Sequence, residues 1–293
     1  MRAIGYMGLG VMGHWMSANL IKKSGLTVYG FDPVPELRGR FAALGGKPVE
    51  RADELYAACD LIFFCLPTNE IVQKTVREAI TKTKPGQILV DMGSTSPKVI
   101  RELYAEALEK GIMLLDSPVS GGEQGAKDGS LVIMCGGARE TFDAVKPYLD
   151  MMGKTVTYMG GAGNGSTAKV CNNMMVGIHL LAVGEAFSFA KKAGLDPKCL
   201  FDAIKDGFAE SAVMTVKVPK ILARDFSASA RIAVHYKDIK NAMELAEYLG
   251  VALPLTAEVK AQMNWMDEKG MINEDQCALV KFYENAMQVE VIS

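Results

Sequence analysis

AIGYMGLGVMGHWMSANL, residues 3–20, carries glycines at Gly8, Gly10 and Gly13, and the fold turns on whether they hold a dinucleotide or only turn a corner. With 29 glycines in 293 residues, a G-x-G-x-x-G spacing arises by chance, so its surroundings decide. Those surroundings are an apolar run ending at Gly8, a helical pattern from Val11, a second apolar run TVYGF (27–31), and Asp32 closing that run. Strand, glycine loop, helix, strand and acid in this order make up the whole dinucleotide arrangement. The first glycine makes the turn, the second admits the pyrophosphate to the backbone, and the third lets helix pack on strand. Orphan amides at the helix start take the phosphate charge. Cofactor contacts are therefore expected at Gly8, Leu9, Gly10, Val11, Met12, Gly13 and Asp32. Asp32 can accept hydrogen bonds from both ribose hydroxyls, and its charge opposes a 2′-phosphate, so NAD is expected. Arg38 and Arg40 nearby leave NADP open.

The alternation begun there continues. Further strand-like runs stand at LIFFCL (61–66), ILVDM (88–92) and IMLLD (112–116), with helix-length segments such as Ile71 to Thr81 between them. The runs are continuously apolar rather than alternating, as in strands covered on both faces of a parallel sheet. The class is α/β, a Rossmann-type doubly wound sheet. LVIMC (131–135) and TVTYM (155–159) extend the sheet or add an edge hairpin. At GGAGNG (160–165) the pattern changes to helix from about Ser166 to Ala193, and turns at GLDP (194–197), GVALP (250–254) and EKGMIN (268–273) divide the helical remainder. The expected division is a dinucleotide-binding domain over 1–162 and an all-helical substrate and oligomerisation domain over 163–293. Within it, MMVGIHLLAVGEAFSFA (174–190) is apolar on nearly every face and should be buried on all of them. Glu185, His179 and Ser188 interrupt it, so burial between domains or subunits is expected rather than a membrane span.

Composition narrows the class of function. A net charge of −2 from 32 basic and 34 acidic residues without long runs of one sign offers no footprint for nucleic acid. The start MRAIGYMG has no leader pattern and reads as the first strand. Six cysteines, Cys59, Cys65, Cys135, Cys171, Cys199 and Cys277, are scattered with no C-x-x-C and read as reduced thiols of a cytoplasmic protein. No H-x-x-H or carboxylate cluster suggests a metal, and none is assigned.

Chemistry is expected at two further places. DSPVSGG (116–122) starts at the carboxyl end of the fifth strand, the edge at which such sheets bind ligands, so Ser120, Gly121 and Gly122 can cradle a small carboxylate. GNGSTAKVCNNMM (163–175) opens the long helix; Lys169 and Asn173, four residues apart, share a face, with Asn172 beside them. A lysine next to a carbonyl donates a proton as the carbon gains hydride and takes it back in the oxidation direction. Asn173 would orient the lysine or the substrate oxygen. Cys171, on another face, reads as packing. Ser94 in DMGSTSP (91–97) can touch the nicotinamide ribose or the substrate, and Leu66 and Pro67 can line the adenosine side. In HYKDIKNAM (235–243), Lys237 and Asp238 stand equally well for surface charge, and His179 and His235 for core histidines.

Assembled, the chain resembles the β-hydroxyacid dehydrogenase family from end to end, on GLGVMG with Met16, Asn19 and Leu20, then DMGSTSP, DSPVSGG, GNGSTAKVCNN and KDIKNAM. The resemblance implies a Rossmann domain, a helical second domain and an acid/base at Lys169. It also implies substrate contacts at Ser120, Gly121, Gly122 and Asn173, and a cofactor contact at Lys237. GGEQGAKDGSL (121–131) and the C-terminal stretch look most like the tartronate semialdehyde reductase branch, with the 3-hydroxyisobutyrate dehydrogenase branch as the alternative. The substrate implied is a small carboxylate, and the assembly a homodimer or homotetramer. Imine-reducing relatives are similar but lack the lysine; a cofactor binder without catalysis is the rival of another class. Trp15 stands where the family has proline. Gly93 stands at the family's serine, which assigns the next position to Ser94 rather than Thr95 and would widen the pocket floor.

Overall fold

The run at 3–7 becomes an inner strand of the sheet. The computed structural model describes residues 3–293; Met1 and Arg2, at the head of the leader reading, lie outside them. Nine strands form one sheet: β1 (Ala3–Met7), β2 (Thr27–Phe31), β3 (Lys47–Pro48), β4 (Leu61–Phe64), β5 (Ile88–Asp91), β6 (Met113–Asp116), β7 (Val119–Ser120), β8 (Leu131–Gly137) and β9 (Gly153–Gly160). The order is 3-2-1-4-5-6-8-7, with β9 against β8. Strands β1 to β6 are mutually parallel, whereas β8 runs antiparallel to β6 and β7. β9 pairs parallel with β8, so it extends the sheet and forms no hairpin.

Between the strands stand α1 (Val11–Lys23), α2 (Pro35–Ala43), α3 (Ala52–Ala58), α4 (Asn69–Lys82), α5 (Pro97–Glu109), α6 (Gly122–Asp128) and α7 (Arg139–Leu149). Continuous apolar strands bury both faces. On one lie Met16 and Leu20 of α1, Phe41 of α2 and Phe142 of α7. On the other lie Leu55 of α3, Val76 of α4 and Leu103 of α5. Reversal of strand order about β1 leaves the crevice at the carboxyl ends of β1 and β4 as the ligand edge.

The remaining helices are α8 (Asn164–Lys192), α9 (Pro197–Ile204), α10 (Ala212–Leu222), α11 (Ile232–Leu249), α12 (Pro254–Glu268) and α13 (Val280–Met287), with a 3-10 turn at Gln276–Leu279. The chain divides into compact units between Lys169 and Val170, inside α8 and later than the expected 162/163. In the second unit, Asp275 is fully buried and accepts from Lys217 Nζ at 2.8 Å and from the Ser229 hydroxyl at 2.7 Å. Burial pushes its carboxyl up, but these bonds and those from the Ala230 and Cys277 amides outweigh it and hold the group below the usual carboxylate range. The cluster ties α10 to the chain entering α11.

Along α8 the single chain leaves one side uncovered. Met175 and Phe189 are 59% and 65% exposed, and Ala182 and Ala186 are also exposed. The helix is therefore not buried on all faces within the chain. Cys171 is exposed too, against its reading as packing. Among the described residues α8 is the one helix long and apolar enough to cross a membrane; half of its most apolar window is buried inside the chain.

Candidate active site

Parallel register gathers the motifs of the first unit. Phe31 pairs with Met7, Met7 with Phe64, Phe64 with Asp91 and Asp91 with Asp116. Five strands thus end on one line, and the next residues in each are Asp32, Gly8, Cys65, Met92 and Ser117. Main-chain bonds carry the line past the strand ends, from Gly8 N to Phe31 O at 3.0 Å and from Cys65 N to Met7 O at 2.9 Å. The glycine loop, Leu66, Pro67, Ser94 and the loop leading to Ser120 all emerge at this one edge.

The three loop glycines differ physically. Gly8 has φ +89, and a Cβ there would lie 2.3 Å from the Cys65 carbonyl oxygen. At Gly13 a Cβ would lie 1.9 Å from the Gly8 oxygen, so α1 sits directly on the strand turn. At Gly10 nothing stands within 4 Å, and the backbone is open for a ligand to approach. These are the three tasks of a dinucleotide loop. Asp32, buried at 7% exposure, receives the Leu9 N–H on Oδ2 and the Val34 N–H on Oδ1, both at 2.9 Å. The acid therefore braces the loop it was expected to complement. Arg38 is drawn elsewhere, to Glu50 at 2.8 Å and the Asp32 carbonyl at 2.8 Å.

Asp116, the last residue of β6, was not singled out from sequence. It is 1% exposed, and its carboxylate receives the Gly163 N–H at 2.9 Å and the Ser166 N–H at 2.6 Å. Burial raises its pKa, while those bonds oppose the rise. Two orphan amides at the start of α8 are satisfied by this one acid. The helix bearing Lys169 and the loop bearing Ser120 thus share an anchor. In that loop Gly121 and Gly122 take φ +128 and +63, where a side chain would be strained.

Trp15, the departure from the family pattern, ties α1 to α6: its Nε1 donates to Glu123 at 3.1 Å, and the Lys127 ammonium lies 5.2 Å from its ring centroid. One turn on, Asn19 donates to the Ala126 carbonyl at 2.8 Å. Gly93 does not leave an open floor. A Cβ there would meet Asp91 Oδ1 at 3.1 Å and Leu66 O at 3.4 Å, so oxygens already fill the corner. Ser94 is part exposed, whereas Thr95 is buried.

In the second unit, Asn173 and Asp238 meet at 2.6 Å. Asp238 was equally readable as surface charge; it is 6% exposed. His235 Nε2 lies 2.8 Å from the Asn173 carbonyl oxygen, which can only accept, so that nitrogen carries the proton. Burial pushes the thiols of Cys59, Cys135 and Cys277 up to about 12, too high for thiolate chemistry.

Residues 3–160 match the family model described as the NAD binding domain of 6-phosphogluconate dehydrogenase. Residues 163–283 match that described as NAD-binding of NADP-dependent 3-hydroxyisobutyrate dehydrogenase. The 2-hydroxy-3-oxopropionate reductase of Escherichia coli (strain K12) is 37% identical over 96% of this chain and 97% of its own. The chain belongs to the NAD(P)-dependent β-hydroxyacid dehydrogenase family. It is an oxidoreductase acting on CH–OH groups, and the open backbone at Gly10 fits the nucleotide that the family binds. The dehydrogenase is also similar to the 2-(hydroxymethyl)glutarate dehydrogenase of Eubacterium barkeri, at 34% identity over 98% of this chain and 97% of that one. A solved structure of Mycobacterium tuberculosis 3-hydroxyisobutyrate dehydrogenase with L-serine aligns with a TM-score of 0.90 at 32% identity, over 96% of this chain and 99% of the other.

Proposed function

We propose that this dehydrogenase interconverts a small β-hydroxy carboxylate and its semialdehyde with NAD, tartronate semialdehyde and glycerate first and 3-hydroxyisobutyrate second. The observation that supports it most is the single sheet edge: the glycine loop, Ser94, the Ser120 loop and, through Asp116, the start of the Lys169 helix all stem from five strand ends in register. The bound nicotinamide supplies or accepts the hydride. Lys169 protonates the carbonyl oxygen in reduction and removes the hydroxyl proton in oxidation. Ser120 and the successive amides of Gly121 and Gly122 hold the substrate carboxylate, and Asn173 orients the reacting oxygen. Gly8, Leu9, Gly10, Val11, Met12, Gly13, Asp32, Leu66, Pro67, Ser94 and Lys237 hold the nucleotide. A panel of short hydroxy acids and semialdehydes, followed by absorbance of the reduced cofactor, tests the assignment. The highest kcat/KM is expected with tartronate semialdehyde; no turnover across the panel defeats it.

NAD is preferred over NADP on the strength of the Asp32 carboxylate fixed at the end of β2 and of Arg38, whose guanidinium is taken by Glu50. Asp32→Ala should narrow the kcat/KM ratio of NAD to NADP by about tenfold or more, the equivalent of roughly 1.4 kcal/mol. A parent enzyme that already prefers NADP contradicts the assignment.

The exposed face Met175, Ala182, Ala186 and Phe189 on α8 is read as the seat of a second copy of this chain. A homodimer or homotetramer is expected by sedimentation at micromolar concentration, and a monomer refutes it. Six free thiols agree with a cytoplasmic protein.

A further inference from the structure

An asparagine amide is nearly symmetrical in shape, with an acceptor at one end and a donor at the other. What it offers a substrate depends on which way it is turned. Two side-chain contacts within the second unit set this for Asn173, and a third holds its main chain. Its Nδ2 donates to Oδ2 of Asp238 at 2.6 Å. Its Oδ1 receives Asn172 Nδ2 at 2.9 Å. Its carbonyl oxygen receives His235 Nε2 at 2.8 Å. The second oxygen of Asp238 lies 3.6 Å from Lys237 Nζ. Asp238 and Asn173 are 6% and 8% exposed, and the bond between them is buried away from water.

We propose that Asp238 is a positioning residue that fixes the polarity of Asn173 and thereby selects for substrates presenting an oxygen acceptor; this rests on Asn173 being a substrate contact. A carboxylate only accepts, so the end of the amide facing it must be Nδ2. One N–H of that nitrogen is taken and the other remains. Because the bond to Asp238 is charge-assisted, it also holds the amide more firmly than a neutral partner would. Asn173 is thus a fixed donor, suited to a carbonyl, an alkoxide or a carboxylate and unsuited to an ammonium group.

Asp238→Asn keeps the shape but lets either amide turn. It is expected to lower kcat/KM by about tenfold or more, while NADH affinity by fluorescence titration changes by less than about threefold. The exchange Asn173→Asp with Asp238→Asn re-forms the bond in reverse, so the melting temperature lost in Asp238→Asn should return. Activity should not, because an aspartate at 173 has no N–H to offer. If activity returns in step with the melting temperature, Asp238 is merely structural and the proposal is overturned. Asn173→Ala separates the two levels. If it keeps the parental kcat/KM, both the substrate contact and the proposal fall. If it loses activity while Asp238→Asn does not, the proposal alone falls.

Discussion

Lys169→Ala is expected to lower kcat by about 100-fold or more while leaving NAD affinity almost unchanged. Hydride addition to a carbonyl leaves an alkoxide, and a positioned acid that delivers a proton as the charge develops contributes about 10² to 10⁴ in rate. Lys169 is half-buried on α8, a little over one turn from the start held by Asp116, and Asn173 follows on the same face. Lys169→Arg discriminates further. A guanidinium keeps the charge but does not give up its proton in this pH range, so it should restore little of kcat if the lysine transfers a proton. It should restore most of kcat if only charge matters. Stopped-flow and steady-state absorbance of NADH measure both variants. Turnover equal to the parent in Lys169→Ala removes the residue from the mechanism.

Legibility followed the range of the interactions. AIGYM, TVYGF and the helix Val11 to Lys23 stand where their pattern placed them, because each is decided by local periodicity. The two-residue strands β3 and β7 exist through pairing with β2 and β8 and have no signal of their own. Asp116 and Asp238 escaped for a related reason. Their partners lie 47 to 65 residues away, at Gly163, Ser166 and Asn173. A helical wheel cannot say whether an acid on α11 faces water or an amide on another helix. On α8 the difficulty was the reverse. Apolar residues on every face give no moment, so sequence could not tell the covered side from the side bearing Met175 and Phe189.

The glycine loop yields the other large effect, in the form of a contrast. Gly10 has φ −63 and open space where a Cβ would stand, so Gly10→Ala costs the empty protein little and its melting temperature should match the parent's. The added methyl instead occupies the backbone surface that the pyrophosphate needs. An overpacking cost of about 1–3 kcal/mol raises the NAD dissociation constant by roughly 5- to 150-fold. At Gly13 the same methyl would lie 1.9 Å from the Gly8 oxygen, a backbone atom that cannot rotate away. Gly13→Ala must push α1 off the turn, and a similar overpacking cost lowers the melting temperature by several degrees even without nucleotide. Calorimetry of the two variants, each with and without NAD, measures both halves. A Gly13→Ala protein as stable as the parent, or a Gly10→Ala protein that binds NAD as tightly, would mean that the chain makes its first turn for some purpose other than holding a dinucleotide.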